Sequence, residues 1–265
     1  MRTESETIMD SQLFSGTEPQ IDFLPFRKNV LPGGVLIELR DITTPGNPGL
    51  DRLSLEVREC EMLGILFSGK PSCEDAFLSF LSGSASFRGR IRMAGKNVSG
   101  IRAGKDIVFI TPPPAISVFS EWTVEDEILL HSEKHKSFWK GGFLRRGRLR
   151  QYCVSFIESC GLHISPSAPI SSISVQDRHF LQEAAALRCS SKVLIALEPF
   201  RCLYPHQVRM TAEALGEKKL QHCGIILISE NKKMLLDFCD RILIIREGRI
   251  VRTVHTEYAV ETDLD

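Results

Sequence analysis

The stretch that most constrains this chain is Lys192–Phe200, Lys-Val-Leu-Ile-Ala-Leu-Glu-Pro-Phe. The apolar residues Val193–Leu197 run into one carboxylate, Glu198, and Pro199 ends the run. A short apolar run without alternation fits a strand covered on both faces, as in a parallel sheet. Glu198 then stands at the carboxyl end of a central strand, the edge where open α/β sheets bind ligands. The strand alone does not choose between a functional carboxylate and the first residue of a loop.

Comparable runs occur at Met62–Phe67, Ile107–Ile110, Ile225–Ile228 and Ile242–Ile245. Helical patterns separate them. One follows Ser68-Gly69-Lys70-Pro71-Ser72, with Phe77, Leu78 and Leu81 on one side and Gly83 closing it. Another starts at Thr123, an N-cap followed by Glu125, Asp126 and Glu127. Helix resumes over Tyr152–Cys160 after a Lys134–Arg150 segment, and a Pro/Ser loop spans Ser165–Ser172. The remaining helices are Asp177–Arg188, with Ala184, Ala185, Ala186 and Leu187 against the sheet, His206–Gln221 and Leu235–Cys239. Strands alternating with helices predict a parallel sheet with helices on its faces. The front of the chain differs. Val35–Ile42, the alternating Leu53–Val57 and a hairpin over Arg88–Val98 predict a small antiparallel unit, with a turn at Thr43–Gly49. Glu247-Gly248 reads as a hairpin turn into Ile250-Val251. Strand, small-residue loop and helix over 62–83 is the layout of a phosphate-binding turn.

The composition of the 265 residues, 43% hydrophobic and 25% charged with zero formal net charge, argues against a global field for nucleic acid or anionic membrane. The 8 cysteines are scattered with no C-x-x-C pair, so they read as small buried hydrophobes of a reducing cytosol rather than a metal cage. No metal site is expected. No apolar run reaches the roughly 18 residues of a membrane span. Residues 1–34 read as a mobile tail or linker and 259–265 as a C-terminal tail. Lys134–Arg150 is basic without one acid and interleaves Phe138, Trp139 and Phe143. It reads either as a surface for nucleic acid or acidic headgroups or, more simply, as a solvated face.

The order of these segments resembles the nucleotide-binding domain of ABC transporters, in particular the ATP-binding subunits of bacterial sugar importers. "VLIELRDI" (35–42) is similar to the opening strand, "LSLEV" (53–57) and Glu61–Ile65 to the lead into the Walker A loop, and "LSG" (81–83) to the end of the first helix. "RGRIRMAGKNV" (88–98) is similar to the post-helix hairpin, "WTVEDEI" (122–128) to the start of the helical subdomain and "KVLIALEP" (192–199) to Walker B. "DFCDRILIIREGRIV" (237–251) is similar to the C-terminal strand pair. The resemblance implies an α/β ABC-type cassette over 35–258: a P-loop core with a mainly parallel sheet, an antiparallel β subdomain and a helical subdomain at about 122–180. The lead-in "DFLPFRKNVLPGGVLIEL" (22–39) resembles the linker before the second cassette of two-cassette importers, so the chain reads as a freestanding second cassette.

The same resemblance exposes departures. The Walker A loop needs glycines for backbone N–H groups, a Lys for the phosphates and a Ser/Thr for magnesium. Here Gly69 is the glycine left, and Glu74, Asp75 and Ala76 stand where the Lys and hydroxyl belong. Two acids at a helix start satisfy its dipole internally and repel a polyphosphate. Pro71 deletes a donor. Lys70 and Ser72 are the remaining weak nucleotide-binding candidates with Gly69, and Lys70 either reaches a phosphate or is solvated. Leu197 occupies the magnesium-Asp position of Walker B and Glu198 that of the catalytic Glu. The first-strand aromatic and the Q-loop Gln have no counterpart in Thr43–Gly49 and Ile110–Pro114. Ser174 and Gln176 are remnants of a signature motif that reads Ile-Ser-Val-Gln-Asp. Glu230 takes the switch-His position, or is a solvated helix cap. The resemblance therefore implies a degenerate cassette of a sugar-type ABC transporter, without ATP hydrolysis, partnered by a competent cassette and a membrane permease at the cytoplasmic face. ATP would bind weakly if at all, magnesium is not expected, and no nucleic-acid partner is implied. Two alternatives stay open: slow ATP turnover by Lys70 and Glu198, and a sensor or adaptor that keeps only the fold.

Overall fold

The computed structural model describes residues 31–69, 73–101, 107–111, 122–132, 138–140 and 143–264. Residues 1–30 of the expected tail lie outside these bounds. Within them, order begins before Val35. Gly33 N–H donates to Glu59 O at 2.8 Å and Glu59 N–H to Gly34 O at 2.9 Å.

The strands β1 (Val35–Thr43), β2 (Leu53–Arg58), β4 (Arg88–Met93) and β5 (Lys96–Val98) form an antiparallel sheet in the order β2-β1-β4-β5. The main sheet contains β3 (Met62–Ser68), β6 (Val108–Ile110), β9 (Val193–Leu197), β10 (Gly224–Ile228), β11 (Arg241–Arg246) and β12 (Arg249–His255). Its order is β12-β11-β3-β10-β9-β6, parallel except at β12. A two-stranded ribbon joins β7 (Trp139–Lys140) to β8 (Phe143–Leu144). The helices are α1 (Glu74–Leu81), α2 (Val124–His131), α3 (Arg146–Ser159), α4 (Val175–Leu187), α5 (Pro205–Leu220) and α6 (Lys232–Phe238).

Both faces of the parallel sheet are covered, which is why its strands are apolar without alternation. One face packs Ile65, Ile195, Ile226 and Ile228 against α1 (Phe77, Phe80, Leu81) and the antiparallel sheet (Ile37, Leu39, Leu55, Val57). The other packs Met62, Leu194, Ile225 and Leu227 against Ala186 and Leu187 of α4, Ala212 and Leu215 of α5, and Leu235 and Phe238 of α6. Ala184 and Ala185, expected on the sheet, face a third core instead, among Ile128, Phe156, Phe180 and Leu181. That division follows from the helical period, which sends adjacent residues to different sides. Gly64 permits α6 to end close to β3, since a Cβ there would lie 2.9 Å from Cys239 Sγ. Glu247 (φ 49°) and Gly248 (φ 75°) form the expected tight turn from β11 to β12.

Other boundaries moved. The helix expected at Tyr152 begins at Arg146, because Leu149, Cys153, Phe156 and Ile157 form one buried stripe while Arg146, Arg148 and Arg150 stay exposed. The aromatics of the basic run divide: Phe138 is buried and Phe143 exposed. The basic run's residues 134–137, 141 and 142, and the prolines 112–114, lie outside the described residues. The strand expected to be buried at Ile107–Ile110 is the sheet's edge strand, with Val108 and Phe109 half-buried. The segment set apart as a C-terminal tail is packed down as far as Leu264, which is buried, and Arg252 donates to Asp263 O at 2.6 Å.

The amino edge of the sheet is tied by ion pairs. Arg241 Nε donates to Glu61 Oε1 at 2.5 Å, Lys219 Nζ to Asp240 Oδ1 at 2.6 Å, and Met62 N–H to Asp240 Oδ2 at 2.7 Å.

Phe77 joins α1 to the sheet, fully buried, with its ring 5.7 Å from that of Phe67. Phe77→Ala is expected to destabilise the fold by about 3–5 kcal/mol, read as a lowered urea midpoint with unchanged slope.

Candidate functional site

Four adjacent parallel strands deliver their carboxyl ends to one edge. They bring Leu197-Glu198 after β9, Ser229-Glu230 after β10, Ser68-Gly69 after β3 and Arg246 at the end of β11. The amino end of α1, at Cys73-Glu74-Asp75, faces the same edge.

Glu198 is placed by backbone geometry. β9 pairs with β10 as far as Leu197↔Ile228. Glu198 then takes a left-handed conformation (φ 43°), while its N–H still donates to Ile228 O at 2.9 Å. The carboxylate turns onto the end of the neighbouring strand. Oε2 accepts from Ser229 Oγ at 2.8 Å and Oε1 from the Glu230 N–H at 2.7 Å. Glu198 is thus the first residue after β9, and its carboxylate carries two hydrogen bonds. Both oxygens staple β9 to the β10–α6 turn. A non-glycine residue in this conformation is uncommon and clusters at functional positions.

Glu230, by contrast, contributes its backbone, and its residue is exposed. The reading of Glu230 as a helix cap is corrected. Asn231 caps α6, its Oδ1 accepting from Met234 N–H at 2.9 Å. The signal was the Asn before Lys-Lys-Met-Leu-Leu. Ser229, whose hydroxyl holds Glu198, was missed because a lone serine after a strand has no pattern of its own.

Carboxylates converge at α1. Glu74 has its pKa raised, first by burial and then by the charges of Glu198, Asp75 and Glu230. Four acids thus share one field, with Arg246 engaged by Ser68, its Nε donating to Ser68 Oγ at 3.3 Å. Leu197 is half-buried and packs on the core rather than facing a ligand. Gly69 adopts a positive φ of 90°, which glycine takes readily. Lys70 and Ser72 lie outside the described residues. Among those described, no group of three His, Cys, Asp or Glu side chains is arranged to hold a metal ion.

Ser174 and Gln176 stand apart, at the start of α4. Ser174 is a helix cap: Asp177 N–H donates to its Oγ at 3.0 Å, and the hydroxyl donates to Asp177 Oδ2 at 2.7 Å. Gln207 Nε2 then donates to Asp177 Oδ1 at 2.7 Å, and Gln207 Oε1 accepts from Tyr204 N–H at 3.0 Å. The start of α4 is thereby bonded to the start of α5. Gln176 is half-exposed and Val175 exposed. Asp177 and Gln207 are the functional-looking pair that sequence reading missed. They are thirty residues apart and meet only in the fold.

These layers define a protein class: the chain has the fold of the ATP-binding cassettes of ABC transporters. An ATP-binding subunit of an ABC transporter superposes with a TM-score of 0.68 at 18% identity, covering 86% of this chain and 97% of that one. A dimeric ATP-binding cassette bound to ADP and Pi gives 0.66 at 13% identity, covering 84% and 100%. In sequence the chain is similar to bacterial sugar-import proteins. It is 28% identical over 173 residues to a ribose import ATP-binding protein of Burkholderia thailandensis, which covers 64% of this chain and 32% of that protein. It is 24% identical over 243 residues to an arabinose import ATP-binding protein of Burkholderia ambifaria, 88% of this chain and 45% of that one. A xylose import ATP-binding protein of Geobacillus kaustophilus is 23% identical over 236 residues, 86% and 46%. The chain thus spans a third to just under half the length of these relatives. No protein-family model matches it. None of its described helices is long and apolar enough to cross a membrane.

The raised Glu74 pKa has a defined consequence. The unfolded chain releases this proton first, near the ordinary 4.5, so folding loses stability as pH rises from there through the higher folded value. Glu74→Gln lacks that loss. Its stability relative to the parent should grow across this interval and then plateau. Urea titrations over a pH series measure it.

Proposed function

We propose that this chain is a degenerate ATP-binding-cassette subunit of a sugar-type ABC transporter. It does not hydrolyse ATP and serves as structural or regulatory partner of a competent cassette and a permease. The observation that supports this most is the carboxylate staple: Glu198, at the catalytic position, is turned onto Ser229 Oγ and the Glu230 N–H, one bond to each oxygen. Two donors already hold this carboxylate against the end of β10, and they compete with its turning to orient a water.

Three further features support the reading. Glu74 and Asp75 open α1, where the family has a Lys and a hydroxyl, and a negative field there opposes a triphosphate. Leu197 offers no oxygen to magnesium. Val175 replaces a signature glycine with a branched side chain at the start of α4. The described residues do not fit a magnesium–triphosphate group. The sugar-import relatives favour the transport setting and hence a place at the cytoplasmic face of the membrane, with a second cassette as neighbour. Intact contacts between the starts of α4 and α5 suit a part retained for its shape, because they hold the helical subdomain to the core without nucleotide.

The purified chain is expected to release phosphate from Mg-ATP at the no-protein background, with Glu198→Gln changing nothing. Titration calorimetry should show no micromolar binding. Micromolar binding abolished by changing Lys70 would favour the slow enzyme instead. Failure to co-purify with any co-expressed permease or cassette subunit would favour an adaptor.

A further inference from the structure

The candidate site makes no use of the most basic stretch of the chain. β8 ends at Leu144, and Arg145, Arg146, Arg148 and Arg150 follow it directly. Arg146, Arg148 and Arg150 are exposed and Arg145 is half-exposed. Among the described residues, none of the four has an ion-pair partner. The first acid along α3 is Glu158, at its far end, and Glu125 and Asp126 of α2 lie beside its middle, near Cys153. An apolar group stands next to this charge. Phe143 opens β8 opposite Lys140 and is 80% exposed. The surface between ring and arginines is open, since a Cβ added at Gly147 would meet nothing within 4 Å.

The patch is held rigidly. Leu149, Cys153, Phe156 and Ile157 fix α3 in the third core. The ribbon is fixed to α3 in turn: the Phe138 ring lies 5.3 Å from that of Tyr152, and Arg145 N–H donates to Phe138 O at 2.7 Å. With about 3.3 Å per extended residue and 1.5 Å per helical one, the backbone from Phe143 to Arg150 spans at most about 16 Å. One phenyl ring and four guanidinium groups therefore share one small footprint.

We propose that Phe143 with Arg145, Arg146, Arg148 and Arg150 is a docking surface for an anionic phospholipid bilayer. The guanidinium groups meet the lipid phosphates, whose paired oxygens match their fork of N–H donors. The ring enters the boundary between headgroups and acyl chains, where an apolar tip beside cations is favoured. A nucleic-acid strand is matched less well. It calls for successive rings to stack on along a groove, whereas Phe138 of the same run is turned into the core. Because the chain as a whole is neutral, this local charge sets which side faces the lipid. The contact is reversible, resting on one ring and a screened field.

The test floats the full chain with vesicles of phosphatidylcholine alone or mixed with phosphatidylglycerol, at low and high salt. The expected result is flotation with the anionic vesicles only, lost at high salt. Arg146→Gln, Arg148→Gln and Arg150→Gln together should weaken partitioning on the order of 100-fold, about five-fold for each arginine. Phe143→Ser should weaken it several-fold. These exposed positions should leave the circular dichroism melt unchanged. Arg88→Gln with Arg90→Gln, which removes two charges from the antiparallel sheet, should bind as the parent does. The proposal is overturned if neutral and anionic vesicles float the chain equally or not at all, or if the arginine and Phe143 variants partition like the parent. Patch-dependent binding of a short single-stranded RNA without flotation would make the partner a nucleic acid and overturn it as well.

Discussion

Two-sided burial of β3, β10 and β9 is the constraint on which the rest depends. A strand covered on both faces cannot shift register without exposing apolar side chains or burying polar ones. Ile225↔Met62 and Leu197↔Ile228 are therefore fixed partners. Fixed pairing lines up the strand ends at both edges. At the carboxyl edge it delivers Glu198 beside Ser229 and Glu230. At the amino edge the Cys60 thiol lies 3.7 Å from His222 Nδ1.

Given that frame, the carboxyl edge is an electrostatic problem with a local solution. Glu198, Glu230, Glu74 and Asp75 are like charges at one place. Glu198 is stabilised as an anion by a hydroxyl and a backbone N–H, bonds to a charge that are about twice as strong as neutral ones. Glu74 has burial against it, and it responds by holding its proton more tightly. The helix dipole of α1 offsets part of the repulsion at Glu74 and Asp75. The negative field is thus sustained by the fold without any bound cation having to be invoked.

Much of this was legible in the sequence, for physical reasons that also mark the limit. The parallel strands were visible because complete burial leaves an unbroken apolar run, as in Val193–Leu197. The α2 cap was visible because Thr123 and Asp126 form a local box. Longer-range decisions were not. Nothing near Tyr152 told that α3 would begin at Arg146, since the first turn shows arginines outward and only Leu149 inward. The Asp177–Gln207 link and the Ser229 hydroxyl joining Glu198 depend on tertiary placement. The edge position of β6 depends on strand order, which a run of Ile-Val-Phe-Ile does not encode. At the site, sequence alone named the acids at 74 and 75 and the leucine at 197, but not that Glu198 accepts from Ser229 and the Glu230 N–H.

Leu197 shows how folding alone weighs on this strand end. The position is half-buried and touches the core under the antiparallel sheet. An aspartate there is a desolvated charge beside Glu198 and Glu74, tolerable when a cation neutralises it and costly otherwise. A leucine removes that charge and adds buried apolar area, a side chain whose full burial contributes roughly 1.5–3 kcal/mol. Stability and phosphate chemistry therefore pull in opposite directions at this strand end. Once hydrolysis is not required of a cassette, substitution toward apolar residues is favoured by folding itself. The adjacent Glu198 has a structural use of its own: its carboxylate holds the end of β9 to the end of β10.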